Sequence, residues 1–283
     1  MLPPYTKVHA SAQVRVAHLQ AQGLIVGKPA VAARKIEQIG YERLRIYFLS
    51  RRDAPHRTFR PGTNYNDILK IYDCDAKLRA LCLIDLALIE VTFRNRMSEA
   101  LSSQFGSHPY EDIAAFKDVN SRNDFLKSSL SIYDRSKDRR AKHYGETYGS
   151  PALPPIWTLK EFLTIGQAER AYCNLSSTLR TNIAKEFGVP SRDVFTNWLK
   201  CFVDLRNACA HHDRIFNRRF QKQPTVLTSV SVPTAQPATL KAVLECLDYV
   251  LKSVDRRRQR SVVTEARRII NGYPQITPAE VGY

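Results

Sequence analysis

An all-α fold is what this sequence predicts: a helical bundle with an N-terminal helical extension and additional C-terminal helices. Three observations lead there. Apolar residues recur at helical spacings over most of the chain. One periodic segment, from about Asp67 to Phe105, runs for nearly forty residues without proline or glycine. With only 11 glycines in 283 residues, the chain lacks the turn material of a β-sandwich or a glycine-rich nucleotide fold.

Taken in order, the segment from Ala32 to Ser50 carries Ile36, Ile39, Leu44, Tyr47 and Phe48, which suits one amphipathic helix or two short ones. Residues 51–66 hold two prolines, a glycine and two asparagines and read as a loop. Thr63 or Asn66 then caps the long helix and Gly106 ends it. Ile71, Leu78, Leu81, Leu88, Phe93 and Leu101 recur along it at intervals of three, four and seven or close to multiples of them. A helix of that length must be the spine of a bundle, because intrinsic propensity alone would not hold it. Beyond it, Phe125 to Ile132 reads as helical, and Asp134 to Tyr148 is polar and strongly basic. SPALPPIW is a boundary or an extended connector. Thr158 to Leu175 and Ser177 to Phe187 form two short helices, the second ended by Gly188. Ser191 caps the next, which runs through Trp198 and Phe202 into RNACAHHDR. Residues 221–238, with three prolines and the alternating VLTSVSV, are a linker or a small hairpin. Leu240 to Val254 is one more amphipathic helix, followed by Arg256, Arg257, Arg258 and Arg260.

Charge narrows the partners. Lys and Arg total 43 against 27 Asp and Glu, a net charge of +16, with 28 arginines to 15 lysines. Such an excess fits a polyanion, an anionic membrane surface or plain solvation. The richest apolar run, Leu78 to Phe93, is interrupted by Arg79, Asp85 and Glu90, so it falls short of the ~18 apolar residues of a spanning helix. No basic amphipathic helix with bulky apolar residues argues for a membrane surface. MLPPYTKVHA lacks the pattern of a secretory signal. The six cysteines (74, 82, 173, 201, 209 and 246) form no C-x-x-C pair, which points to reduced core thiols rather than zinc or redox motifs. The expected compartment is the cytoplasm, with no membrane partner, no metal and no cofactor.

The densest polar cluster is Arg206-Asn207-Ala208-Cys209-Ala210-His211-His212-Asp213-Arg214. On a helix turning about 100° per residue, Trp198, Phe202, Leu205 and Cys209 share an apolar stripe. Lys200, Asp204, Asn207 and His211 fall opposite, with Arg206 at the border and His212 towards the apolar side. A straight helix thus presents Asn207 and His211 as an exposed i, i+4 pair with a guanidinium in reach. An imidazole moves a proton near neutral pH, a guanidinium holds a phosphate, and RNA supplies its own 2′-hydroxyl nucleophile. These are the parts of a metal-independent ribonuclease. They are equally the parts of a helix end where cationic side chains complement the dipole. Arg51…His56 repeats the spacing inside a proline-rich loop and is a decoy.

Five stretches make the sequence resemble the Abi_2 group of bacterial abortive-infection proteins, which includes the AbiD and AbiF types. They are AQGLIVGKP; IEQIGYERLRIYFLSRRD; FRPGTNYNDILKIYDCDAKLRALCLIDLALIEVTFRNRM; PPIWTLKEFLTIGQAERAYCNL; and WLKCFVDLRNACAHHDRIFNR, together spanning residues 21 to 218. The resemblance implies membership of the HEPN superfamily, all-α domains whose R-N-x3-H motif is typically a metal-independent ribonuclease site. Arg206, Asn207 and His211 match that motif. It further implies a homodimer whose two motifs meet in one site, a role in phage defence through cutting cellular RNA such as tRNA, and in some relatives control by a small noncoding RNA. The last 65 residues show no clear family motif. Domain limits follow: 1–60 an N-terminal helical extension, 61–220 the HEPN-like core, and 221–283 a linker and C-terminal helices packed on the core.

Two further sets of residues stand out. Glu90 and Arg94, an i, i+4 pair in an IE-x3-R pattern that the Abi_2 group shares, are either an intrahelical ion pair or supports of the active cleft alongside His212. Arg135, Lys137, Arg139, Arg140, Lys142, His143 and Tyr144, with Tyr133 and Tyr148 interleaved, offer cations for phosphate and rings for bases. They are alternatively a solvated face. Two functional readings stand: an abortive-infection endoribonuclease, or a non-catalytic HEPN protein that binds a structured noncoding RNA.

Overall fold

The computed structural model describes residues 4, 6, 8–53 and 58–283. Arg51 is among them, whereas His56, its partner in the decoy spacing, lies outside the described residues. The described chain is all-helical, with twelve α-helices, short 3-10 turns and isolated β-bridges in place of strands. It divides into two compact units, Met1–Leu78 with Arg268–Glu280, and Arg79–Arg267 with Val281–Tyr283.

The first unit begins with α1 (Ala12–Ala21), α2 (Pro29–Ile39) and α3 (Tyr41–Leu49). The segment expected as one helix or two is two, because Gly40 sits between them at φ 94°, a conformation that costs a residue with a Cβ. Leu44, Tyr47, Phe48, Phe59 and Tyr65 form an aromatic-rich core, with Phe48 edge-on to Phe59 at 6.1 Å. Its buried Asp75 accepts a hydrogen bond from the Tyr47 hydroxyl at 2.5 Å.

The long helix α4 (Tyr65–Phe105) starts one or two residues earlier than predicted. Neither Thr63 nor Asn66 caps it; Asn64 Oδ1 accepts the Asn66 amide at 2.8 Å. Gly106, at φ 75°, ends it. The second unit carries most of α4 and then α5 (Val119–Arg135), α6 (Arg139–Thr147), α7 (Ile156–Leu159), α8 (Ile165–Asn174), α9 (Ser177–Glu186) and α10 (Arg192–Ala210). The helix expected from Thr158 breaks at Thr164, whose hydroxyl and Gln167 form a reciprocal capping box that starts α8 afresh. Helix α11 (Leu240–Val254) has the predicted limits, and α12 spans Val262–Asn271. Residues 221–238 contain one antiparallel bridge, Leu227 with Val232, and no strand.

The core of the second unit sits around α10, which packs against α8, α9 and α11. Phe93, Tyr172, Phe187 and Phe195 meet at ring separations of 5.0 to 6.1 Å. Trp198 is buried, donates its indole N–H to the Thr225 carbonyl at 2.7 Å, and stands edge-on to Tyr249 of α11. Each large ring removed from water contributes ~2–3 kcal/mol, so this cluster is what fixes α10. Of the apolar positions read along α4, Leu88 differs from the others: it is 37 % exposed, beside Ile84 at 64 % and Val91 at 59 %.

Candidate active site

Ser191 caps α10, its hydroxyl accepting the Val194 amide at 3.3 Å. Trp198, Phe202, Leu205 and Cys209 are buried, whereas Lys200, Asn207 and His211 are exposed and Asp204 half-buried. The helix ends inside the motif. His211 is its C-cap at φ −85° and ψ 6°, close enough to helical for its amide to reach the Asn207 carbonyl at 2.9 Å. Asn207 and His211 therefore stay on one exposed face.

His212 departs from the straight-helix expectation. It adopts φ 58°, the left-handed region, and is exposed instead of turned to the apolar side. Its amide bonds to the Cys209 carbonyl at 3.1 Å and the Asp213 amide to the Ala208 carbonyl at 2.8 Å. This pair of bonds is a Schellman end, with a histidine where glycine is usual. Buried Arg79 reaches the Asp213 carbonyl at 3.4 Å and secures the turn from below.

Arg206 is 31 % exposed, and its Nε lies 3.4 Å from Glu90 Oε2. The other Glu90 oxygen lies 3.8 Å from Arg94. Arg94 in turn donates to the Leu163 carbonyl at 2.8 Å and approaches the Lys160 carbonyl at 3.5 Å. Glu90 is thus more than the partner of an intrahelical pair: its carboxylate links α4 to α10 and sets the direction of Arg206. Arg94 faces the segment after α7 and does not meet Asn207 or His211 directly. The Glu90–Arg206 pair is only partly exposed, with Glu90 at 13 %, so the carboxylate holds a fixed position from which it orients Arg206.

The basic set lies elsewhere, around α6. Arg135 caps the carbonyl of Ser131 at 2.7 Å. Lys137 and Arg139 are exposed with no carboxylate partner among the described residues. Arg140 is engaged bidentately by Asp138, at 3.0 and 2.8 Å, and lies 3.8 Å from Glu161. Lys142 pairs with Glu146 at 3.7 Å, and His143 is exposed. Tyr144 is buried, with its hydroxyl donating to the Pro151 carbonyl at 2.9 Å, so its ring is wall rather than open stacking surface. Burial raises its phenol above the ordinary range.

Sequence reading missed the roles of Asp85, Arg258 and Arg260. Asp85 is buried on α4 and takes Arg258 at 2.9 Å together with Arg260, so two arginines of the C-terminal run are structural. A lone Asp in an apolar run was the available signal. Among the described residues, no three His, Cys, Asp or Glu side chains converge to hold a metal ion, and no helix is long and apolar enough to cross a membrane. Burial pushes the thiols of Cys74 and Cys201 up to about 12.

Fold and site define a class: an all-helical protein that presents an Asn–His pair and a braced arginine where a largely buried helix reaches the surface. The family of Abi-like proteins matches residues 34–217. The chain belongs to that family, which points to abortive infection, a defence against phage. No curated protein and no solved structure matches the chain.

Proposed function

We propose that this protein is a metal-independent endoribonuclease of abortive infection, of the HEPN type, acting in the cytoplasm as a homodimer. The observation that supports it most is the exposed Asn207–His211 face beside an Arg206 braced by Glu90. His211 takes the proton from an RNA 2′-hydroxyl, whose oxygen attacks the adjacent phosphorus. The bond to the 5′-oxygen breaks, leaving a 2′,3′-cyclic phosphate, and the departing 5′-oxygen takes up a proton. Arg206 holds the charge that develops on the phosphate, and Asn207 positions it. His212 and Arg94 support the cleft, and Arg135, Lys137, Arg139 and Lys142 add non-specific, salt-dependent phosphate attraction.

An in-line displacement needs a proton acceptor and a proton donor on opposite sides of phosphorus, and one chain places one motif. Ile84, Ala87, Leu88 and Val91 form an exposed apolar stripe on α4, alongside Glu90 and Arg94. A second copy seated on that stripe brings two motifs to one cleft, and a contiguous apolar face of this kind is unusual on a monomer.

The test is cleavage of total cellular RNA in EDTA with end-group chemistry on the products. Wild type is expected to give cyclic or 3′-phosphate ends, and His211→Ala to lose at least 100-fold in rate with an unchanged melting temperature. Equal rates would remove His211 from the chemistry. A second reading, binding of a structured noncoding RNA without cutting, is favoured by one observation: the exposed Lys137 and Arg139, without carboxylate partners among the described residues, lie apart from the motif. Tight RNA binding that survives His211→Ala, with no cleavage by either protein, selects it.

A further inference from the structure

The second unit holds a cavity whose lining includes none of the motif residues. It measures about 390 Å3 and opens between α6 and the connector that leads into α7. Tyr148, 55 % exposed, stands at its mouth with its ring 5.2 Å from that of Tyr144 and tilted by 36°. His108 and His143 contribute two imidazoles, and Pro151 and Pro155 add flat apolar walls. Thr158 and Ser150 also line it.

The chemistry of this lining is selective. Aromatic and proline faces favour a planar ring, and imidazole and hydroxyl groups suit the polar edge of a heterocycle. The one guanidinium present, Arg140, is already neutralised by Asp138 at 2.8 Å and by Glu161 at 3.8 Å. It is a poor seat for phosphate. The volume is at the low end of the range of small-ligand sites, ~300–1,000 Å3, which excludes a stretch of strand and suits a two-ring base with its ribose. Exposed Lys137 and Arg139, at the start of α6 and outside the cavity lining, can take the phosphates of an adjoining strand.

We propose that this cavity binds a single unstacked purine nucleoside, either extruded from an RNA strand or free. The strand as source rests on the RNA-directed reading given above; the nucleoside chemistry does not. The wall that Thr158 supplies continues into Lys160 and Leu163, the carbonyls that Arg94 holds. One segment, 156–163, is therefore shared between the cavity and the Glu90–Arg94–Arg206 cluster.

The test uses 2-aminopurine, whose fluorescence falls on stacking. It is offered as the free riboside and within a single-stranded oligoadenylate, to the full chain and to Tyr148→Ala and Tyr148→Phe. Expected is quenching with wild type and with Tyr148→Phe. Affinity should fall about tenfold in Tyr148→Ala, at an unchanged melting temperature. Quenching of the riboside alone, with no oligonucleotide bound, keeps the cavity and overturns the RNA-directed reading. Oligonucleotide binding by mobility shift without any quenching overturns the cavity and leaves that reading standing. Equal affinity of Tyr148→Ala and wild type also overturns it.

Discussion

His212 carries a local conflict at the end of the candidate motif. A left-handed residue with a Cβ costs roughly 1–2 kcal/mol that glycine does not pay, yet a histidine occupies this helix end at φ 58°. The turn it makes exposes its imidazole beside His211 rather than burying it. His212→Gly is expected to keep the Schellman bonds and hold or raise the melting temperature by about 1–2 °C, while RNA cleavage drops. A fall of several degrees would show that the contacts of the imidazole outweigh the backbone strain. Glu90 presents the complementary case. Its own backbone is regular helix, and its consequence lies in being shared between two arginines.

Helices in this protein are placed by their ends as much as by their stripes. The aromatic cluster fixes α10 from its buried side, while Ser191 at one end and the His212 turn at the other set where the helix starts and stops, and with it which residues of the motif reach water. Helix α6 depends on Asp138, which accepts the Arg140 amide at 2.8 Å as well as its guanidinium. These hydrogen bonds hold the Asp138 carboxyl at about 2, below its ordinary value of 3.8. Because the folded value is depressed, the stabilisation it supplies is complete above the ordinary value and disappears as pH falls through about 2. Carboxyl NMR is expected to give a midpoint near 2 for Asp138, with loosening of α6 confined to the window below pH about 4. A midpoint near the ordinary value would mean that Arg140 leaves Asp138 in solution and is available to phosphate.

Across the whole chain, the three charges that interrupt the apolar run of α4 each reach a different partner. Arg79 secures the turn after α10, Asp85 gathers Arg258 and Arg260, and Glu90 directs Arg206. Removing the buried carboxylate in Asp85→Asn leaves two guanidiniums without it, and urea unfolding is expected to show a loss of roughly 3 kcal/mol. A loss under about 1 kcal/mol would mean that the arginines relax to solvent at little cost. The apolar stripe of α4 makes a separate prediction about assembly. Val91→Glu puts a charge into the centre of the proposed dimer face. Sedimentation should then show a monomer where wild type is a dimer, with helicity unchanged. A wild-type monomer at micromolar concentration would remove the stripe as a self-association surface.

Much of the frame was legible because it rests on local signals. The period of α11, the Ser191 cap, the stop at Gly106 and the buried face of α10 are short-range consequences of residue type, and each stands where the spacing put it. So does the resemblance of residues 21 to 218 to abortive-infection proteins, within which the family match at 34–217 falls. What spacing could not supply is anything that depends on residues far apart in the chain. Leu88 repeats like a core position and is exposed, because burial depends on what covers a face, and nothing in the second unit covers that one. Glu90 and Arg206 are more than a hundred positions apart, so only folding could reveal that one carboxylate steers the arginine. The net charge of +16 pointed to a polyanion, but two of its arginines are spent on Asp85 and one on Asp138. Sequence determined which cationic and proton-transferring side chains the protein carries; tertiary structure decided which of them face water, because charge pairing and burial are settled between elements rather than within them.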